Sequence, residues 1–194
     1  AALNYVSILL NMVVGLIYTP YMLRMLGQSE YGLYSLAASV IAYLTVLDLG
    51  FGNAVVRYTS KFIAEGKKKE QEEMFGMFFL LYIVIGAIAL TIGALLSLNV
   101  EGIFSRAMTP SEVSRTRIML WVMTFNLAFT FPMSIWGSIM TAYERFVFQR
   151  IVSIIRSAMN PLVMVLLLAV GYKAVAMVIV TTIFNVITLL INCW

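Results

Sequence analysis

In a chain this apolar, the side chains able to do chemistry are few, and their spacing can be read directly. Arg156 stands about a third of the way into an apolar run, and Asp48 is the one acid inside such a run. A guanidinium presents five donors in a planar fork suited to oxyanions. A carboxylate within a span can take up a proton or a sodium ion, and amides and hydroxyls pair with polar ligand groups. Such groups recur here every three or four residues, which puts them on one face of a helix. Asn4, Ser7, Asn11, Gly15 and Tyr18 form a first row, and Ser35, Ser39, Ala42, Val46, Gly50, Asn53 and Arg57 a second. Asn126, Thr130, Ser134, Ser138 and Thr141 form a third. Gln149, Ser153, Arg156 and Asn160 follow, and then Thr181, Asn185, Thr188 and Asn192.

Two readings of these rows compete. Polar faces that share a water-accessible cavity avoid lipid, whereas small and hydroxyl residues also serve as packing contacts between helices. For Arg156 the choice lies between a cavity and snorkelling to the membrane surface, because a guanidinium at mid-span costs about 2.5–3.5 kcal/mol. Asp48 lies near the end of its run. It is a candidate ion-coupling group, although that position favours a capping role at the Gly50/Gly52 break. Pro20, Pro132 and Pro161 each remove a backbone donor and favour bends.

The elements that must position these residues follow from hydropathy. Of the 194 residues 62% are hydrophobic and 11% charged, and the mean hydropathy is +0.95. A water-soluble domain does not have this balance. A hydrocarbon core needs roughly 20 helical residues to cross it, and six runs meet that length at about 3–23, 33–51, 75–98, 118–139, 151–170 and 175–193. Backbone groups in lipid must be satisfied within each segment, so the expected fold is all-α: a polytopic membrane helix bundle of six spans. Short connections at 27–30 and 171–173 make consecutive helices antiparallel neighbours. The second helix is expected to extend to about 65. The charged run 67–73 reads as a solvated loop. Thr109, Pro110 and Glu112 read as the cap of a short interfacial helix.

Basic residues are unevenly distributed. Arg57, Lys61, Lys67, Lys68, Lys69, Arg145, Arg150 and Arg156 fall on one side, and Arg24, Arg106, Arg115, Arg117 and Lys173 on the other. The positive-inside rule makes the first side, and the N-terminus with it, cytoplasmic. Their placement at helix ends is not that of a nucleic-acid-binding face. With no histidine, the single Cys193 and no paired acids at a membrane face, neither a metal site, a cofactor nor a catalytic constellation is expected.

The string Tyr18-Thr-Pro-Tyr-Met-Leu-Arg-Met-Leu-Gly-Gln-Ser-Glu-Tyr-Gly-Leu-Tyr34, followed by Asp48-Leu-Gly-Phe-Gly-Asn-Ala-Val-Val-Arg-Tyr58, resembles the polysaccharide biosynthesis family. These are the Wzx-like oligosaccharide flippases of the multidrug/oligosaccharidyl-lipid/polysaccharide (MOP) superfamily. The resemblance implies that residues 1–194 form the N-terminal six-helix lobe of a two-lobed, MATE-like transporter whose second lobe lies outside this chain. It further implies a bacterial or archaeal inner-membrane protein that moves polyprenyl-pyrophosphate-linked oligosaccharide by alternating access. On that reading its partners are the lipid-linked glycan, membrane lipids and the C-terminal lobe. The candidate pyrophosphate and sugar contacts are Arg57, Arg156, Asn160, Gln149, Asn11, Asn126 and Asn185. The alternatives are a cation-coupled multidrug exporter of the same fold, to which the absence of an acid in helix one is opposed, and a non-transporting membrane scaffold.

Overall fold

The computed structural model describes the backbone of residues 2–104, 108–144 and 146–193. The side chains of 2–4, 6, 7, 10, 11, 14, 146 and 150, and therefore Asn11, lie outside the described residues, as do Arg106 and Arg145. The described chain is helical throughout: α1 (Ala2–Leu44), a single 3-10 turn (Thr45–Asp48), α2 (Phe51–Glu65), α3 (Lys68–Leu98), α4 (Val100–Phe104), α5 (Pro110–Ala142), α6 (Phe146–Ala169) and α7 (Ala174–Ile191). Five described stretches are long and apolar enough to cross a membrane. The outward surface is correspondingly greasy, with Leu16 77% and Leu166 65% exposed. The chain is a multi-pass membrane helix bundle. Where six spans were expected, the first of these stretches, Gly15–Glu65, takes in both the first and the second expected spans, which part at Gly27 within the connection expected at 27–30.

That stretch is bent twice. Gly27, at φ 78° and ψ 167°, leaves the helical region and divides α1 into arms 2–26 and 28–44; only glycine takes this conformation without a steric penalty. In a straight helix Tyr18 and Tyr34 would stand about 24 Å apart, yet both line one small cavity. The arms therefore double back at Gly27. The second bend falls at the break expected around Gly50 and Gly52, so the extension to 65 is a separate helix. Leu49 (φ 49°) and Gly50 (φ 74°) are consecutive left-handed residues. They separate the 3-10 turn from α2, an amphipathic helix that begins afresh at Phe51. No side chain caps α2, so Asp48 does not play the capping role its position suggested.

Two further expectations change. The run 68–73 is the first two turns of α3, not a loop, since Lys, Glu and Gln are good helix formers. Gln71 is buried there and donates to the Tyr143 hydroxyl at 2.9 Å. Thr109 caps the long α5 itself instead of a separate short helix. Its N–H donates to Glu112 Oε2 at 2.8 Å and its hydroxyl at 2.9 Å.

Ion pairs fix the Gly27 corner. Glu30, buried just after the Gly27 corner, pairs with Arg115 of α5 and lies 4.0 Å from Lys173 at the start of α7. The Ser29 hydroxyl donates to Glu112. These contacts tie the fold-back of α1 to the starts of two other helices.

Inside the bundle, α3 packs most extensively against α5, and the reason lies in proline and glycine. Pro132 has no N–H to offer the Ala128 carbonyl, and a Cβ at Gly86 of α3 would lie 2.8 Å from that oxygen. Helices approach this closely in membranes through small residues. Around the contact lies a core that includes Val55, Phe78, Tyr82, Ile85, Phe131 and Ile135. Gly86→Ala is expected to force α3 and α5 apart and cost about 1–3 kcal/mol. A lower melting temperature in detergent checks this; an unchanged one would contradict the packing described.

Candidate functional cleft

The side chains that meet inside the bundle come from both arms of α1 and from α5, α6 and α7. Two adjoining cavities share Tyr34, Arg156 and Thr181. One, of about 270 Å³, is further lined by Thr45, Asn126, Thr130, Thr182 and Asn185. The other, of about 260 Å³, takes in Tyr18, Ser157, Asn160, Pro161, Met164 and Met177. Together they form one cleft with a cation at its waist.

Arg156 occupies that waist because α6 presents Arg156 and Asn160 one turn apart on its inner face. The guanidinium is half-buried, and among the described residues it pairs with no carboxylate. Neither cavity has an acid in its lining. Across the cleft, Asn185 Nδ2 donates to Asn126 Oδ1 at 2.7 Å and to Thr130 Oγ1 at 2.8 Å, joining α7 to α5. The other hydroxyls of the rows mostly return their proton to their own helix, as Thr181 does to the Met177 carbonyl and Thr130 to that of Asn126. Their lone pairs remain available as acceptors. The Asn160 Oδ1 atom is buried with no hydrogen-bond partner.

Several sequence-derived candidates thus come together and others do not. Arg156, Asn160, Asn126 and Asn185 line the cleft. Gln149 instead closes the α5–α6 corner. Its Nε2 donates to the Gly137 carbonyl at 2.8 Å, and it accepts from the Thr141 hydroxyl at 3.0 Å, so its amide is spent on packing. Arg57 is exposed on α2, outside the cleft. With it the whole second row, Ser35 through Asn53, faces outward. The face of the 28–44 arm that lines the cleft carries Tyr34, Ala38 and Ile41 and continues to Thr45. Tyr34 and Ser157 escaped the sequence reading because neither belongs to a polar row. Spacing of Tyr34 with Ala38, Ile41 and Thr45 was the only signal, and three of those four are apolar or aromatic.

Asp48 belongs to a second, smaller cluster. With Ser134 it flanks the hydroxyl of Tyr82, a wholly buried side chain whose oxygen makes no hydrogen bond of good geometry. Gly52 lets the cluster close up. A Cβ there would lie 3.1 Å from Ser138 Oγ and 3.8 Å from the Tyr82 hydroxyl.

A family model described as "Polysaccharide biosynthesis protein" matches the chain over residues 1–194. No curated protein and no solved structure matches it.

The Asn126–Asn185 bond is expected to add about 1 kcal/mol of coupling between α5 and α7, the scale of interhelical hydrogen bonds in membranes. A double-mutant cycle with Asn126→Leu and Asn185→Leu, read by unfolding in detergent, measures it. Additive effects would mean that the two amides do not stabilise each other.

Proposed function

The chain belongs to the polysaccharide biosynthesis protein family, and on that premise we propose that it is a flippase lobe whose cleft passes the anionic headgroup of a lipid-linked oligosaccharide across the membrane. The observation that carries this reading is Arg156: an unpaired guanidinium at the waist of a polar cleft in an otherwise apolar bundle. A guanidinium there needs an anion, and none of the described residues supplies one. A pyrophosphate offers oxygens for a bidentate pair, and the hydroxyls and amides of Thr130, Thr181, Thr182 and Asn126 suit the sugars that follow. The polyprenyl chain stays outside the cleft, among the lipids. Transport proceeds by alternating access, with a second lobe completing the pathway. The basic connections at 57–69 face the cytoplasm, which places the N-terminus there too. A cationic cleft without carboxylates is the opposite of what a cation-selective drug exporter requires, so glycan export is the preferred reading over drug export. The chemistry is relocation, not bond making.

Arg57, exposed on the amphipathic α2 near Lys61 and away from the cleft, acts at the cytoplasmic mouth, where it attracts the same headgroup. Asp48 couples transport to an ion gradient. The buried Tyr82 hydroxyl beside it is a ready partner for either protonation state, and the end of a broken helix offers carbonyl oxygens for a cation.

Loss of a charge-assisted pair costs about 1.5–3 kcal/mol, which is roughly 10–100-fold. Arg156→Ala is therefore expected to cut surface glycan at least tenfold at an unchanged level of protein in the membrane, with lipid-linked oligosaccharide accumulating on the cytoplasmic side. Arg57→Ala should give a smaller loss. Normal export in both variants would remove the headgroup reading. Asp48→Asn is expected to make residual export insensitive to collapse of the proton and sodium gradients. Export that still falls with either gradient, as in the unaltered protein, would show that coupling resides elsewhere.

A further inference from the structure

The two halves of the cleft are chemically unlike, and the difference points to what each holds. We propose that the chamber between Tyr18, Tyr34, Ser157 and Asn160 binds the sugar ring that bears the anomeric phosphate, with Arg156 at its rim holding that phosphate. This rests on the headgroup reading above and makes it specific.

Two acceptors carry the inference. Asn160 Oδ1 is buried without a partner. Pro161, which lines the same chamber, has no N–H to donate to the Ser157 carbonyl one turn earlier, so that helix oxygen lacks its usual bond. A fully ionised pyrophosphate diester is an acceptor in all its oxygens. It would satisfy Arg156 and leave both of these atoms as they are, and a polyprenyl chain carries no donors at all. The group that completes the chamber must bring O–H or N–H donors within one helical turn of an anion. A hexose or acetamidohexose 1-phosphate does this. Its phosphate lies at one end of the ring, and its hydroxyls and any amide N–H are spread over the rest.

The spacing agrees. Arg156 and Asn160 are four residues apart on α6, about 6 Å along the axis, so one side chain can take the phosphate and the other the substituents of the adjoining ring. Tyr18 and Tyr34 enter from the two arms of α1. They contribute aromatic surface for the C–H face of a pyranose and hydroxyls for its rim, the amphipathic combination suited to a sugar. The chamber, at about 260 Å³, is at the small end of ligand sites, which suits one ring and not an extended oligosaccharide. Met164 and Met177 close the remaining wall.

The purified full-length protein in detergent micelles, titrated calorimetrically with inorganic phosphate and with glucose 1-phosphate or N-acetylglucosamine 1-phosphate, tests this. The expected result is that at least one sugar phosphate binds ten times or more tightly than phosphate. Asn160→Leu and Asn160→Ala should abolish that difference while phosphate binding remains. Equal affinities for phosphate and both sugar phosphates in the unaltered protein would overturn the sugar chamber, and that comparison stands even if the variants fail to fold. A preference that survives in well-folded Asn160 variants would overturn it as well. Failure of the headgroup reading looks different: Arg156→Ala would then bind every probe as the unaltered protein does.

Discussion

A guanidinium among apolar helices, with no carboxylate among the described residues to neutralise it, is the constraint on which the rest of this structure turns. Bringing Arg156 to mid-helix is unfavourable in lipid, so the bundle must provide a polar lining around it and keep that lining away from acyl chains. Four other helical segments share the task. Both arms of α1 offer tyrosines, α5 offers Asn126 and Thr130, and α7 offers Thr181, Thr182 and Asn185. The pairing of Asn126 with Asn185 shows how such a lining is kept in order: amides that could bind a ligand also hold the helices that carry them.

The scaffold is built to keep these segments in place. The arms of α1 can both reach the cleft only because Gly27 folds the helix back on itself. That corner is fixed from outside by Glu30, through Arg115 and Lys173, and by Ser29 through Glu112. On the other side of the bundle, Gly86 fits against the carbonyl that Pro132 leaves free, and α5 is thereby seated on α3. Pro161 leaves a carbonyl free in the same way, but there the oxygen belongs to a cavity-lining residue. The same backbone defect thus occurs once at a packing contact and once beside the cleft.

Much of this was legible in the residues alone. Apolar runs of spanning length and scattered charges sufficed for an all-helical membrane bundle, because lipid permits few alternatives. Arg156 and Asn160, Asn126 and Thr130, and Thr181 and Asn185 come from three of the rows to one cleft, since helix periodicity fixes which side chains share a face. What periodicity does not fix is which face turns inward. The second row, ending at Asn53 and Arg57, was as regular as the others and faces outward, while the neighbouring face with Tyr34 lines the cleft. Gln149 belonged to a polar row as well, but a neighbouring carbonyl and hydroxyl on α5 absorb its amide. The connection at 27–30 and the break at Gly50 were legible in the sequence, but not their backbone geometry. A glycine tells that a left-handed or extended corner is allowed, not that the chain takes it, and leucine gives no such sign.

Photo-crosslinking shows whether the headgroup passes through the cleft. With a photoreactive residue in place of Thr181, where the two cavities meet, the lipid-linked oligosaccharide should be captured in native membranes, and from the outward-facing position of Leu166 only bulk phospholipid. Capture of the glycan from Leu166 but not from Thr181 would mean that the headgroup does not travel past Arg156, and the account of this cleft would be wrong.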